Sequence, residues 1–318
     1  MLTAKSHNEP YVEAANAVRD QTYMCRGCEQ PVIFKAGRVR TWHFAHHPNS
    51  KCPYGALMSP EHLAAQRVLA DALPSREVHV ELEAQMNSLA GDRRIDVLAW
   101  PPDRQTARVA IEVQASDITI HLIDERTNSY QAEGVAPLWL RLYDFARWDD
   151  PKLIVQRRTI WIPKHHLRSW ERWVYDHLGG RLWFMDSRTL LIWRGIFVPA
   201  HSYVEQTSWY GPGGEEQSAG GDWRDITRWV ELELEGPFAP RDLRLKRGRV
   251  TGADHKQRLA AWFLPPGEDG DPGPPPVRAK FLTSKGWFFT PRQIQVRIGE
   301  VWEQATVEEA PPSWADGT

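Results

Sequence analysis

Arg94-Ile95-Asp96-Val97-Leu98-Ala99-Trp100 and Arg108-Val109-Ala110-Ile111-Glu112-Val113-Gln114 are the two stretches on which the reading of this chain turns. A Pro101-Pro102-Asp103 turn and a few polar residues join them, which predicts two neighbouring strands of one hairpin. In the second stretch Val109, Ile111 and Val113 alternate with Ala110, Glu112 and Gln114, so Glu112 and Gln114 project to one face. Asp96 on the adjacent strand is positioned to project beside them. Two carboxylates converging at the end of a sheet make an oxygen-donor site suited to Mg²⁺ or Mn²⁺, the minimum for metal-assisted phosphodiester hydrolysis. The same spacing also arises by chance on the solvated face of a strand. The surrounding order of elements therefore has to decide.

Upstream, Ser59-Pro60-Glu61 opens a helix: serine caps, proline suits the first helical position, and the acid complements the positive terminus. The helix runs from His62 to Leu73, with Ala65, Val68, Leu69 and Ala72 as its apolar stripe, and stops at Pro74. A strand follows from Glu77 to Glu83, and then comes the hairpin. A second helix spans Asp117 to Glu133, capped by Gly134, before a buried-looking strand from Ala136 to Leu142. The order is helix, three strands, helix, strand.

With these residues in place, the region resembles the restriction-endonuclease-like, PD-(D/E)xK-type nuclease core. More narrowly, it is similar to the competence protein CoiA-like family. The resemblance rests on Glu61-His62-Leu63, Arg94-Ile95-Asp96-Val97, Ile111-Glu112-Val113-Gln114-Ala115-Ser116, Arg126 with Tyr130, and Pro137-Leu138-Trp139. Cys25-Arg26-Gly27-Cys28 and His43-Phe44-Ala45-His46 match the N-terminal element of the same family, so residues 20–145 are covered. It implies an α/β (α+β) fold with an αβββαβ core, and direct metal ligation by Asp96 and Glu112. Glu61 would hold a metal-bound water or a second ion, and the Val113 carbonyl would complete the shell. Gln114 stands where many relatives place lysine; it can hydrogen-bond but brings no charge, so water activation would rest on the ion. Arg126 and Tyr130 lie one helical turn apart, and either contact substrate phosphate or leave Arg126 to pair with Glu133 or another acid.

The cysteines give an independent reading. There are three, Cys25, Cys28 and Cys52, with a glycine inside the Cys-x-x-Cys knuckle and histidines 43, 46 and 47 between the second and third. Tetrahedral zinc takes four such donors, so Cys25, Cys28, Cys52 and one of His43 or His46 are expected to hold a structural Zn²⁺; spacing does not choose between the histidines. An odd cysteine count argues against a disulfide framework.

The 318-residue chain carries a net charge of −2, so no global field draws it to nucleic acid, and DNA affinity would depend on local patches. Candidates are Arg38 with Arg40, Arg93 with Arg94, and the basic run from Arg241 to Arg249. No apolar stretch is long enough to span a bilayer and the first ten residues are polar, which favours a cytoplasmic protein without a membrane partner. The expected organisation is a zinc-ribbon-like module (1–58), the nuclease core (59–145), a mixed α/β region (146–264), a Pro/Gly linker (265–277) and a tail (278–318). The 16 tryptophans fall mostly in the second half and read better as core than as a stacking platform for bases. Two functions are compatible with all this. One is a metal-dependent DNA nuclease or DNA-processing enzyme acting in transformation or recombination. The other is a non-catalytic module of the same fold that binds DNA or a recombination or competence protein.

Overall fold

The computed structural model describes residues 1–52, 54, 58–87, 93–148, 152–154 and 159–268. The linker and tail expected at 265–277 and 278–318 lie, apart from 265–268, outside the described residues. The N-terminal module comprises β1 (Thr3–Ala4), β2 (Val12–Glu13), β3 (Tyr23–Met24), β4 (Pro31–Lys35) and β5 (His43–His46). The last three form an antiparallel sheet in which Val32 faces His46 and Lys35 faces His43. Tyr23, Phe44, Val32 and Cys25 make a small core of their own there.

The next elements are α1 (Pro60–Ala72), β6 (His79–Met86), β7 (Arg93–Trp100), β8 (Val109–Gln114), α2 (Ile120–Ala132) and β9 (Ala136–Tyr143). This is the helix, three strands, helix, strand order that the sequence predicts. The hydroxyl of Ser59 accepts from the His62 N–H at 3.2 Å, and Thr119 caps α2 in the same way. Each such cap stabilises its helix by about 1 kcal/mol. Gly134 (φ +67°) takes the left-handed position that ends α2.

The sheet does not stop at β9. Beyond it come β10 (Lys152–Ile154), β11 (Thr159–His165), α3 (Ser169–His177), β12 (Leu182–Asp186), β13 (Ile192–Val204), β14 (Thr207–Tyr210), β15 (Glu216–Ala219), β16 (Asp222–Phe238), β17 (Arg244–Thr251) and β18 (Gln257–Leu264). Nine strands join in the order β10-β11-β16-β13-β12-β9-β8-β7-β6. The β8–β9 and β9–β12 pairs are parallel and the rest antiparallel, so the segment after residue 145 extends the sheet that carries Asp96 and Glu112. His165 ends β11. The glycine-rich stretch 211–221 contains the return strand of the β14–β15 hairpin, because Thr207–Tyr210 finds partners in Glu216–Ala219.

Both faces of the sheet are covered. Along β9, Ala136, Leu138, Leu140 and Leu142 pack with Leu63, Ala65 and Leu69 of α1 and with Phe263 of β18. On the opposite face Trp139 joins Ile123 of α2 and Trp170, Trp173 and Val174 of α3. Burying each of these large side chains contributes roughly 1.5–3 kcal/mol. Trp139, Trp170, Trp183 and Trp193 are core residues, whereas Trp42, Trp209 and Trp223 are exposed.

Candidate active site and Cys/His centre

The simpler of two polar centres lies in the N-terminal module. After β3 the chain turns so that the Glu29 N–H reaches the Cys25 carbonyl and the Gly27 N–H points at Cys25 Sγ, 3.4 Å away. A Cβ at Gly27 would come within 2.3 Å of the Tyr54 ring, so only glycine fits inside the knuckle. Strand β5 then delivers His46, whose Nε2 lies 3.3 Å from Cys28 Sγ, and Cys52 Sγ is 3.9 Å from Cys25 Sγ. One ligand atom from each of Cys25, Cys28, His46 and Cys52 lies within 4.8 Å of all the others. Around a tetrahedral ion with bonds of about 2.3 Å to sulfur, neighbouring thiolates sit about 3.8 Å apart, so this set fits a metal. His43, the other histidine left open by the sequence, is outside the group, with its Nδ1 2.9 Å from the Thr41 carbonyl. The two histidines are three residues apart on one strand and therefore point to opposite faces.

The second centre forms where β7 and β8 part. Their ladder pairs Ala99 with Val109, Leu98 with Ala110 and Val97 with Ile111, and ends there. In place of a ladder bond, the Val113 N–H donates to Asp96 Oδ2 at 2.9 Å. Strict alternation also fails at this point, since Ile95 packs with Leu98, Ala110 and Tyr130, while Val97 joins the α1 side of the sheet. Asp96 is consequently taken up by α1: Gln66 Nε2 donates to Oδ1 at 2.6 Å, and His62 Nε2 lies 3.1 Å from Oδ2. Glu112 is taken up by α2, with its two oxygens accepting from the Tyr130 hydroxyl and the Arg126 guanidinium. Arg126 also stacks over the Trp139 ring, 5.2 Å from its centroid.

Both carboxylates are buried, Asp96 at 7% and Glu112 at 2% exposure. Burial opposes their charge, but they settle differently. At Asp96 the cost is outweighed by His62, Arg126 and the Val113 N–H, which hold the carboxyl below its ordinary range. At Glu112 burial wins, reinforced by the Asp96 charge and only partly offset by Arg126 and Tyr130, and the carboxyl is pushed up. Burial also works against a charged imidazole at His62, yet the Asp96 carboxylate raises its pKa.

A cleft of about 680 Å³ opens over these groups, lined by His62, Arg93, Arg94, Asp96, Glu112, Val113, Gln114 and Arg126 among others. Gln114 donates from Nε2 to the Ser116 carbonyl at 2.7 Å. Glu61 is not brought here. It is exposed at the start of α1 and does not line the cleft. Each helical residue turns by about 100°, so the face that meets Asp96 carries His62 and, one turn on, Gln66. Sequence reasoning missed both. The available signal was Gln66, a polar residue one turn beyond a histidine and beside the apolar stripe, and it is fully buried.

The donor set of carboxylate oxygens, an imidazole and a strand carbonyl suits a divalent ion in chemistry. Its spacing is looser than that of the cysteine centre. Among the described residues, Cys25, Cys28, His46 and Cys52 form the one group of three or more Cys, His, Asp or Glu donors within 4.8 Å, and Glu112 would have to exchange Arg126 or Tyr130 for an ion.

Sheet, helices and paired buried carboxylates together define a nuclease-like α/β domain preceded by a Cys/His module. Residues 7–55 match the family model of the competence protein CoiA N-terminal domain, and residues 59–169 that of the CoiA nuclease-like domain. This chain belongs to the competence protein CoiA-like family. It is similar to "Competence protein CoiA" of Bacillus subtilis (strain 168), with 26% identity over 129 residues, 40% of this chain and 33% of that protein. The chain thus spans about a third of the length of the curated relative it matches. No solved structure matches. Among the described residues, no helix is long and apolar enough to cross a membrane.

Proposed function

We propose that this chain is a divalent-metal-dependent deoxyribonuclease that processes DNA in transformation or recombination, with a structural zinc in its N-terminal module. The observation that carries this reading is the pair of buried carboxylates, Asp96 and Glu112, facing one cleft from strands that have just parted. Burying two such charges in an apolar sheet is costly unless something uses them. Arg93, Arg94 and Arg126 line the same cleft and are the cations a phosphodiester backbone would recruit there, Arg93 from its pair with Glu125 and Arg126 from its pair with Glu112. When bound, a Mg²⁺ or Mn²⁺ ion supplies Lewis-acid polarisation of a phosphate and a bound water of lowered pKa. Asp96 and Glu112 would hold the ion, and the Val113 carbonyl would be a further oxygen donor. Arg126 is the group that can shift from Glu112 to a substrate phosphate, and Gln114 orients by hydrogen bonding alone.

In the N-terminal module, thiolates of Cys25, Cys28 and Cys52 with His46 leave no open position on a four-coordinate zinc, so that centre braces the module and does no hydrolysis. A second reading is favoured by one observation: both Glu112 oxygens are occupied by Arg126 and Tyr130. On that reading the cleft binds DNA or a protein partner without cutting. The test is incubation of the full chain with linear, circular and single-stranded DNA in Mg²⁺ or Mn²⁺, beside folded Asp96→Asn and Glu112→Gln variants. Metal-dependent cleavage lost in both variants establishes the enzyme. DNA retained but uncut under every condition replaces it with the binding module.

A further inference from the structure

From the surroundings of Asp96 we infer that His62 is a metal ligand of the cleft, and that the site therefore prefers Mn²⁺ over Mg²⁺. This rests on the proposed metal-dependent reading and names a donor and an ion that it leaves open. For bonds of about 2.1 Å meeting at a right angle, neighbouring donors on one ion lie about 3 Å apart. His62 Nε2 and Asp96 Oδ2 are 3.1 Å apart, both at the cleft wall.

A hydrogen bond between the two would have the same length, so the neighbours must decide. Asp96 also accepts from Gln66 Nε2 on one oxygen and from the Val113 N–H on the other, so each oxygen has a partner besides His62. Gln66, fully buried beside the same carboxylate, leaves its Oε1 without a partner among the described residues. Oε1 belongs to the same amide whose Nε2 lies 2.6 Å from Asp96 Oδ1 and 3.3 Å from His62 Nε2, so the open acceptor stands behind this pair, where a water held on an ion would present a proton. The helix that carries these groups is fixed from both ends of the contact: Ser59 caps it through the His62 N–H, and Leu63, Ala65 and Leu69 seat it on the sheet. His62 is thereby held against Asp96 while Glu61 turns to solvent.

The chemical consequence concerns the ion. Mg²⁺ favours oxygen donors and keeps its waters, whereas imidazole nitrogen suits first-row transition metals. Of those, Mn²⁺ best accepts a set otherwise made of carboxylate and carbonyl oxygen.

The experiment is pulsed electron paramagnetic resonance of the full chain loaded with Mn²⁺ alone, together with Mn²⁺ and Mg²⁺ affinities, in the native protein, His62→Gln and Asp96→Asn. The expected result is a directly coordinated ¹⁴N coupling in the native protein that vanishes in His62→Gln, with Mn²⁺ affinity falling by more than about tenfold and Mg²⁺ affinity falling less. Mn²⁺ bound, and lost in Asp96→Asn, but with no ¹⁴N coupling would overturn the assignment of His62 and leave the metal reading standing. Folded protein that binds no Mn²⁺ even with DNA present would overturn both.

Discussion

The cysteine centre and the carboxylate cleft both gather metal donors, yet they rest in opposite states. Around Cys25, Cys28, His46 and Cys52 the four donors already converge. In the cleft each donor has a protein partner instead: Asp96 is held by Gln66, His62 and Val113, and Glu112 by Arg126 and Tyr130. A site whose donors have few other partners is completed by its ion and shares its free energy with folding. A site whose donors are individually satisfied folds without the ion and can bind and release it. On the proposed function, permanence at one centre and exchange at the other would follow from where the hydrogen bonds go.

The cysteine centre should respond most strongly to substitution. Cys25 is almost fully buried and belongs to the small core of the N-terminal module as well as to its donor set. Cys25→Ser should therefore abolish zinc binding and cost more than about 4 kcal/mol, in the range reserved for lost metal sites. Thermal melting and elemental analysis check this together; a variant that melts like the native protein without zinc would show that the ion braces nothing.

The cleft is also supported from the C-terminal half. Arg141, from β9, donates to the carbonyls of Ala115 (2.6 Å) and Gln114 (3.3 Å) just beyond Glu112. It pairs with Glu171 of α3, and the two side chains are 2% and 1% exposed. Glu171 also faces His165. Removing one partner of a buried pair leaves the other uncompensated, so Glu171→Ala should cost about 3–5 kcal/mol. Zinc content should not change. Equal loss of zinc would mean that the two halves of the molecule are one cooperative unit.

Tyr130→Phe is a smaller perturbation. It removes one donor to buried Glu112, for a loss of about 1–3 kcal/mol in stability, and it removes a competitor for that carboxylate. Mn²⁺ should bind more tightly, by up to about tenfold, which corresponds to 1.4 kcal/mol. Isothermal titration decides; weaker binding would show that Tyr130 orients Glu112 for the ion. Smallest of all should be Gln114→Lys. The side chain sits at the cleft and donates to the Ser116 carbonyl, so cleavage should be preserved or raised, and complete loss would contradict its orienting role.

What was legible in the sequence follows from how local each signal is. The alternation of Val109, Ile111 and Val113 with Glu112, the Ser59-Pro60 cap and the Gly134 terminator depend on a few neighbouring residues, and the structure places all of them as read. The face of α1 was not legible. An acid in a first turn is explained equally well by the helix dipole and by a site, and only the packing of Leu63, Ala65 and Leu69 on the sheet turns His62 inward. Parity could separate His43 from His46 but not rank them, because the choice depends on the pairing of Val32 with His46 across the sheet. Most obscure was the second half. Its strands return to β9 through the pairing of Trp183 with Leu140, 43 residues apart, and β13 meets β16 with shifts in register. Nothing in a local pattern announces such a partner.

The central claim is that one chain carries a permanent metal centre and an exchangeable one. It is tested most directly by loading the full chain with Mn²⁺, passing it through a mild chelator, and measuring zinc, manganese and DNA cleavage on the same sample. The account predicts that zinc stays at one ion per chain, that manganese and cleavage are lost together, and that added Mn²⁺ restores cleavage. Cleavage that survives complete removal of manganese, or that disappears only when zinc is stripped, would contradict it.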